Sequence, residues 1–257
     1  MRVRRRIRKL IERVFGRLII PPGDVCLLAE LTHLTRFFEY FSVDCVFDVG
    51  ANIGQYRELL RNEVGFTGPI ISFEPIPELA EVLRAKTSSD PKWFVETTAL
   101  DREPGPAIFH IMQDSQFSSL HSPDSDQPKI LNAWNKVTRE VSVDRSTLGI
   151  ELPRWRDKLR FTRPFLKMDT QGNDLAVLEG AGEAVRAFVG LQSELSFQRI
   201  YNGSPGFAEA LARYSEFGFQ LSALVPNNVG HFPLLVELDC IMFRNDDLTH
   251  LERNQSD

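Results

Sequence analysis

A glycine-punctuated turn reads Val46-Phe47-Asp48-Val49-Gly50-Ala51-Asn52-Ile53-Gly54. It closes a short apolar run and opens a stretch of helical spacing, the place where α/β proteins bind nucleotide-like cofactors. A dinucleotide site wants G-x-G-x-x-G, whose middle glycine lets backbone approach a pyrophosphate. Asn52 stands in that place and would crowd one. A ligand without phosphate suits D-x-G-x-x-x-G better. S-adenosylmethionine is such a ligand, with a carboxylate, an ammonium and a sulfonium. Asp48 can pair with the ammonium through the loop or a water, and backbone N–H groups at the helix start suit the carboxylate. Gly50, Ala51, Asn52 and Gly54 then form the turn, the glycines allowing close approach of the cofactor. Glu74 follows Gly54 by twenty residues and, with Pro75, ends the next strand. An acid there hydrogen-bonds ribose hydroxyls. Asp101 ends a third strand and can accept from the adenine amino group, or cap a turn.

The candidate catalytic groups lie later. Asp169 follows a strand and precedes Gly172, so it should stand beside the methyl donor and take or orient a hydroxyl proton. Its competing roles are a divalent-cation ligand or a helix N-cap. Glu194 ends the next strand and supplies a second carboxylate on that rim. His231, in a glycine- and proline-containing connection, has a suitable pKa for a base. His110 and His121 flank a serine-rich stretch and rank below it. A sulfonium is a strong methyl donor, so alignment supplies much of the rate. No metal is expected.

The elements that must position these groups alternate. Strand signals fall at 43–49, 69–73, 93–100, 165–168, 189–195, 217–224 and 236–243. Helical spacing falls at 53–64, 77–86, 173–187 and 206–217. That rhythm predicts an α/β protein with a mostly parallel seven-stranded sheet and helices on both faces. Residues 3–19 have apolar positions at steps of three and four, an amphipathic helix. The expected division is a basic helical lead-in over 1–42, one domain over 43–244, and a polar tail over 245–257. The polar stretch 113–128, QDSQFSSLHSPDSDQP, reads as a lid, a binding loop or a disordered connection.

Charge is uneven in this 257-residue chain of net charge -5. Residues 1–20 carry +7, which leaves -12 on the rest. An acidic body disfavours nucleic acid as partner, because phosphate contacts need Lys and Arg. The basic segment is a helix packed on protein, or one lying on an anionic membrane surface. Three cysteines, Cys26, Cys45 and Cys240, have neither zinc-ligand nor disulfide-framework spacing. They point to a cytoplasmic protein, with Cys45 and Cys240 as core residues. No run approaches the roughly twenty apolar residues of a membrane span.

The blocks VFDVGANIGQY, SFEPIPE and FLKMDTQGNDLAVLEGA, in that order, resemble the FkbM family of S-adenosylmethionine-dependent methyltransferases. The resemblance covers roughly 43–243. It implies a Rossmann-like class I methyltransferase fold and O-methylation of a sugar, glycan, lipid-linked or other secondary-metabolite hydroxyl. It departs at Asp174, where the family typically has a glutamate. The competing readings are a methyltransferase acting on nitrogen or nucleic acid, and a non-catalytic cofactor-binding module. An NAD-dependent oxidoreductase is disfavoured by the missing G-x-G-x-x-G.

Overall fold

The computed structural model describes residues 25–226 and 233–246. The expected helix over 3–19, His231 and the tail beyond 246 lie outside the described residues.

Strands β1 (Cys45–Val49), β2 (Ile70–Phe73), β3 (Trp93–Glu96), β7 (Pro164–Met168), β8 (Gly190–Ser196), β9 (Phe219–Val225) and β10 (Glu237–Arg244) form one sheet. Its order is β3-β2-β1-β7-β8-β10-β9. The first five strands in that order run parallel, and β10 inserts antiparallel between β8 and β9. β1 and β7 are buried along their whole length, as central strands covered on both faces of a parallel sheet are. The chain order reverses between β1 and β7. Their carboxyl ends therefore splay the following loops apart and open a crevice.

Helices cover both faces. Phe47, Phe73, Leu166 and Phe188 on one face pack with α4 (Leu148–Leu159), α5 (Asp174–Glu179) and α6 (Phe207–Glu216). Val46, Ile70 and Phe165 on the other pack with α1 (Val25–Tyr40), α2 (Gln55–Leu59) and α3 (Pro77–Thr87). α2 continues as a π-turn over Leu60–Val64. Phe37 of α1 meets the Phe165 ring edge-on at 5.3 Å. Each such fully buried ring contributes about 1.5–3 kcal/mol. The part of the lead-in that is described, α1, thus belongs to the core of the domain. Cys45 and Cys240 are fully buried small core residues, as expected.

The expected third strand over 93–100 divides. β3 stays in the main sheet. Ala99–Leu100 (β4) joins β5 (Gly105–Met112) and β6 (Val137–Ser146) in a separate three-stranded sheet, order β4-β6-β5. The stretch 113–128 hangs from that sheet and is held. It contains a 3-10 turn over Ser115–Phe117, and isolated bridges join His110 to Ser119 and Pro123 to Tyr201. His110 Nδ1 lies 3.1 Å from Oε1 of Glu140, its cross-strand neighbour on β6. Among the described residues no helix is long and apolar enough to cross a membrane.

Candidate functional site

A cavity of about 420 Å³ opens at the carboxyl ends of β1, β2, β7 and β8. Small-ligand sites occupy roughly 300–1,000 Å³ and favour this place in an open α/β sheet. Its walls are the turn after β1, Glu74 to Ile76, the 98–100 segment, the 115–118 turn, the loop after β7, and the ends of β8 and β10.

The turn is more self-contained than the sequence implies. The Gly50 and Ala51 amides donate to the Phe73 carbonyl at 3.0 and 3.1 Å, and the Gly54 amide donates to the Ala51 carbonyl at 2.8 Å. The Asn52 amide donates to Glu74 Oε2 at 2.8 Å, and the Ile53 amide to Gln55 Oε1 at 3.2 Å. These five turn amides are committed within the protein, which leaves the amides that follow at the start of α2 as the ones a ligand carboxylate would meet. Asn52 holds a left-handed φ of 48°. Gly50 has φ 78°, and a Cβ there would lie 1.9 Å from the Asp169 carbonyl oxygen. Its small size serves the approach of the β7 loop. Gly54 packs close to Trp93 and Leu83, at 3.0 and 3.1 Å from a built Cβ.

Asp48 is fully buried beneath the turn and does not line the cavity. Its Oδ2 accepts from Ser72 Oγ at 2.8 Å, and Lys167 Nζ stands 3.4 Å from Oδ1. Glu74 does line the cavity, with Pro75 beside it. Its Oε1 accepts from the Ile76 amide at 2.9 Å, so two backbone N–H groups fix the carboxylate. Lone pairs remain for two hydroxyls. Burial pushes its pKa up to about 7, against the help of those amides. Asp101 is turned away from the cavity. Its Oδ2 accepts from Arg145 at 2.5 Å and its Oδ1 from the Arg102 amide and Asn173. β4's departure to the second sheet puts it there, and both carboxylate oxygens are engaged by protein donors.

Asp169 reaches the cavity with its side chain about half exposed. Lys167 Nζ is 3.5 Å from its Oδ2, and Gln171 Nε2 donates to its Oδ1 at 2.9 Å. Gln171 also donates to Glu194 Oε2 at 3.1 Å and accepts from Tyr201. Its backbone is left-handed, φ 57°. Asn173 precedes α5 as its flanking residue, so Asp169 is no helix cap. Asp174 accepts from Thr170 N, Thr170 Oγ1, Ser193 Oγ and Glu194 N. The family's carboxylate position is thus a clamp between loop and β8. Thr170 and Ser193 reach in to the shorter side chain. His121 contacts Asn173 at 3.2 Å and does not line the cavity.

The other end of the cavity is acidic. Glu30 of α1, Asp169, Glu194, Glu237 and Asp239 gather there around Gln192, Tyr56 and Lys167. Burial, and then neighbouring carboxylates, hold Glu194 well above the ordinary carboxylate range, and Glu237 is raised with it. Burial raises Glu30 and Asp239 as well. Among the described residues no group of three or more His, Cys, Asp or Glu is arranged to hold a metal.

Sequence reasoning did not single out Lys167, Gln192, Tyr56, Glu30, Glu237 or Asp239. One signal was present. Ser72, Asp48, Lys167 and Gln192 are polar residues in buried strands, and the register aligns them in one row across β2, β1, β7 and β8. A polar residue inside such a run needs a partner, because unpaired burial is costly.

A family model for the methyltransferase FkbM domain matches residues 48–221. The chain belongs to the FkbM methyltransferase family. No curated protein matches the sequence. Among solved structures, the FkbM methyltransferase from Methylobacillus flagellatus KT is similar at 15% identity and TM-score 0.44, covering 78% of this chain. This chain spans 43% of that protein. Magnesium protoporphyrin IX methyltransferase from Synechocystis PCC 6803 with bound SAM is similar at 9% identity and TM-score 0.47, covering 93% and 95%. Aeropyrum pernix fibrillarin with natively bound S-adenosyl-L-methionine is similar at 10% identity and TM-score 0.41, covering 77% and 66%.

The FkbM cavity fits S-adenosylmethionine by its chemistry. Six acidic side chains and one lysine are among its described lining residues, an acceptor-rich setting for a cationic ligand. Glu74 offers acceptors for ribose hydroxyls. Ile76, Leu100 and Phe109 offer an apolar wall for an adenine ring. Bound there, the cofactor would supply an electrophilic methyl group.

Proposed function

We propose that this FkbM methyltransferase O-methylates a hydroxyl of a small-molecule, glycan or lipid-linked acceptor, with S-adenosylmethionine as donor. The observation that carries the reading is Asp169. It is a carboxylate facing the cavity, pinned by Lys167 on one oxygen and by Gln171 on the other, directly beside the cofactor turn. Such a group orients an acceptor O–H and accepts its proton as the oxygen attacks. Nucleic acid is disfavoured as acceptor, because a phosphate backbone would meet carboxylates at the cavity.

The test is incubation with cofactor labelled in the methyl group and cell extract fractionated into glycan, lipid, small-molecule and nucleic-acid pools. Label in a base-stable, hydroxyl-linked methyl of one of the first three supports the proposal. Label in nucleic acid or on nitrogen, or none, overturns it. Calorimetry should in parallel show binding of S-adenosylhomocysteine and none of NAD.

Asp169→Asn should keep the melting temperature and the S-adenosylhomocysteine affinity within about twofold, and lower turnover by about 100-fold or more, the usual range for a positioned acid or base. Turnover at the wild-type level would remove Asp169 from the chemistry.

A further inference from the structure

Lys167 is a buried cation that takes no chemical step in the reaction proposed above. It is 7% exposed, at the penultimate position of β7, and its register partners are Asp48 on β1 and Gln192 on β8. Its ammonium has three N–H donors and three neighbours. It donates to the Gly50 carbonyl at 3.1 Å, and it stands 3.4 Å from Asp48 and 3.5 Å from Asp169. One hydrogen bond and two ion pairs thus tie it to three protein acceptors. Two of them belong to different loops. Gly50 is in the cofactor turn after β1, and Asp169 is the cavity-facing acid after β7.

We propose that Lys167 is a positioning residue that clips the cofactor turn to Asp169, so that donor site and proton-accepting carboxylate keep one fixed geometry. The proposal rests on the functional reading of Asp169 given above. The rest of the network supports a rigid seat for the clip. Trp93 Nε1 donates to Ser72 Oγ at 3.0 Å, and Ser72 Oγ donates to Asp48 at 2.8 Å, so Asp48 is anchored from the far side. Burial works against the Lys167 charge, but Asp169, Asp48 and Asp174 outweigh it and hold the ammonium above its ordinary range. The two loops already touch, since the Asp169 amide donates to the Val49 carbonyl at 3.0 Å. That bond fixes the backbone. It leaves the Asp169 side chain free to rotate, and only Lys167 and Gln171 restrain its oxygens among the hydrogen bonds and ion pairs described.

Lys167→Met alone strands the Asp48 charge and risks the fold. The informative variant is the double Asp48→Asn, Lys167→Met. It removes a buried pair together, a change that is often neutral for stability, and the side-chain carbonyl of the introduced asparagine can still accept from Ser72. Asp169 is half exposed, so its charge is not stranded by the loss of Lys167. Three readouts are compared with wild type and with Asp48→Asn: melting temperature, hydrogen exchange in segments 49–54 and 169–173, and S-adenosylhomocysteine affinity by calorimetry.

The expected result is a double variant that melts near wild type, exchanges faster in both segments, and binds S-adenosylhomocysteine at least tenfold more weakly. Wild-type exchange and affinity in the double variant would overturn the clip, leaving Lys167 as the counter-ion of Asp48. Loss of melting temperature with unchanged exchange ratios would do the same. If wild type itself fails to bind S-adenosylhomocysteine, the functional reading falls, and the exchange of the two segments still decides whether Lys167 joins them.

Discussion

Gly50→Ala should leave little folded protein. The methyl carbon would sit 1.9 Å from the Asp169 carbonyl oxygen and 2.9 Å from its carbon, both backbone atoms that no rotamer can move. The φ of 78° adds about 1–2 kcal/mol for any L side chain. Relief requires the two loops to part. That would break the Gly50 amide bond to Phe73 and the Lys167 bond to the Gly50 carbonyl. Together these place the change among the exceptional single substitutions, above about 4 kcal/mol. A domain of this kind holds roughly 5–15 kcal/mol. Gly203→Ala is the control. Gly203 has φ 76° and nothing within 4 Å of a built Cβ, so it isolates the backbone term. The check is soluble yield and melting temperature of both variants. A Gly50→Ala protein that melts within a few degrees of Gly203→Ala would show that the two loops are not in contact.

Much of this arrangement could be read from the chain because the central strands are buried on both faces. Cys45–Val49 and Pro164–Met168 give apolar runs broken only by Asp48 and Lys167, and glycine ends the first of them. Alternation with helical spacing then implies a parallel sheet. The reading failed where a segment is half wet. β6 is mostly exposed or intermediate along its length, and β5 alternates only at its start. Their apolar signal is weak, so the second sheet stayed hidden. α4 stayed hidden for another reason: Pro153 lies inside it. Missing that sheet misplaced Asp101. A strand read as continuous over 93–100 carries its last residue to the main rim, whereas the break at Thr97 and Thr98 carries it to Arg145. The site shows the same limit. Glycines and acids at strand ends were legible because a motif spaces them. The rest of the acidic end beside Glu194 was not, because Glu30, Glu237 and Asp239 come from distant parts of the chain and meet it only through the β8–β10 pairing and the packing of α1.

Glu74 carries the second large effect, through pH. Its folded-state pKa is about 7 against an ordinary 4.5, with burial the first cause. Between those values the folded protein holds a proton that the unfolded chain has released. The native state then binds more protons, so stability falls as pH rises. The contribution is complete below about pH 4.5, is lost progressively toward pH 7, and is flat above it. A shift of that size corresponds to about 3 kcal/mol. Other buried carboxylates with raised pKa values, among them Glu30 and Asp239, add to the same slope, so the Glu74 share is isolated by Glu74→Gln. That variant should show a shallower fall of melting temperature between pH 4.5 and 7. Binding should run the other way. Ribose hydroxyls donate best to an ionised carboxylate, because a charged acceptor makes the stronger bond. Affinity for S-adenosylhomocysteine should therefore rise from pH 6 to 8 in wild type, with proton release visible as a buffer-dependent heat. In Glu74→Gln the affinity should be lower by about 1–3 kcal/mol at pH 8 and lose much of that rise. An unchanged pH profile in the variant would mean that Glu74 does not meet the ligand, and that its carboxylate serves only the Asn52 and Ile76 amides.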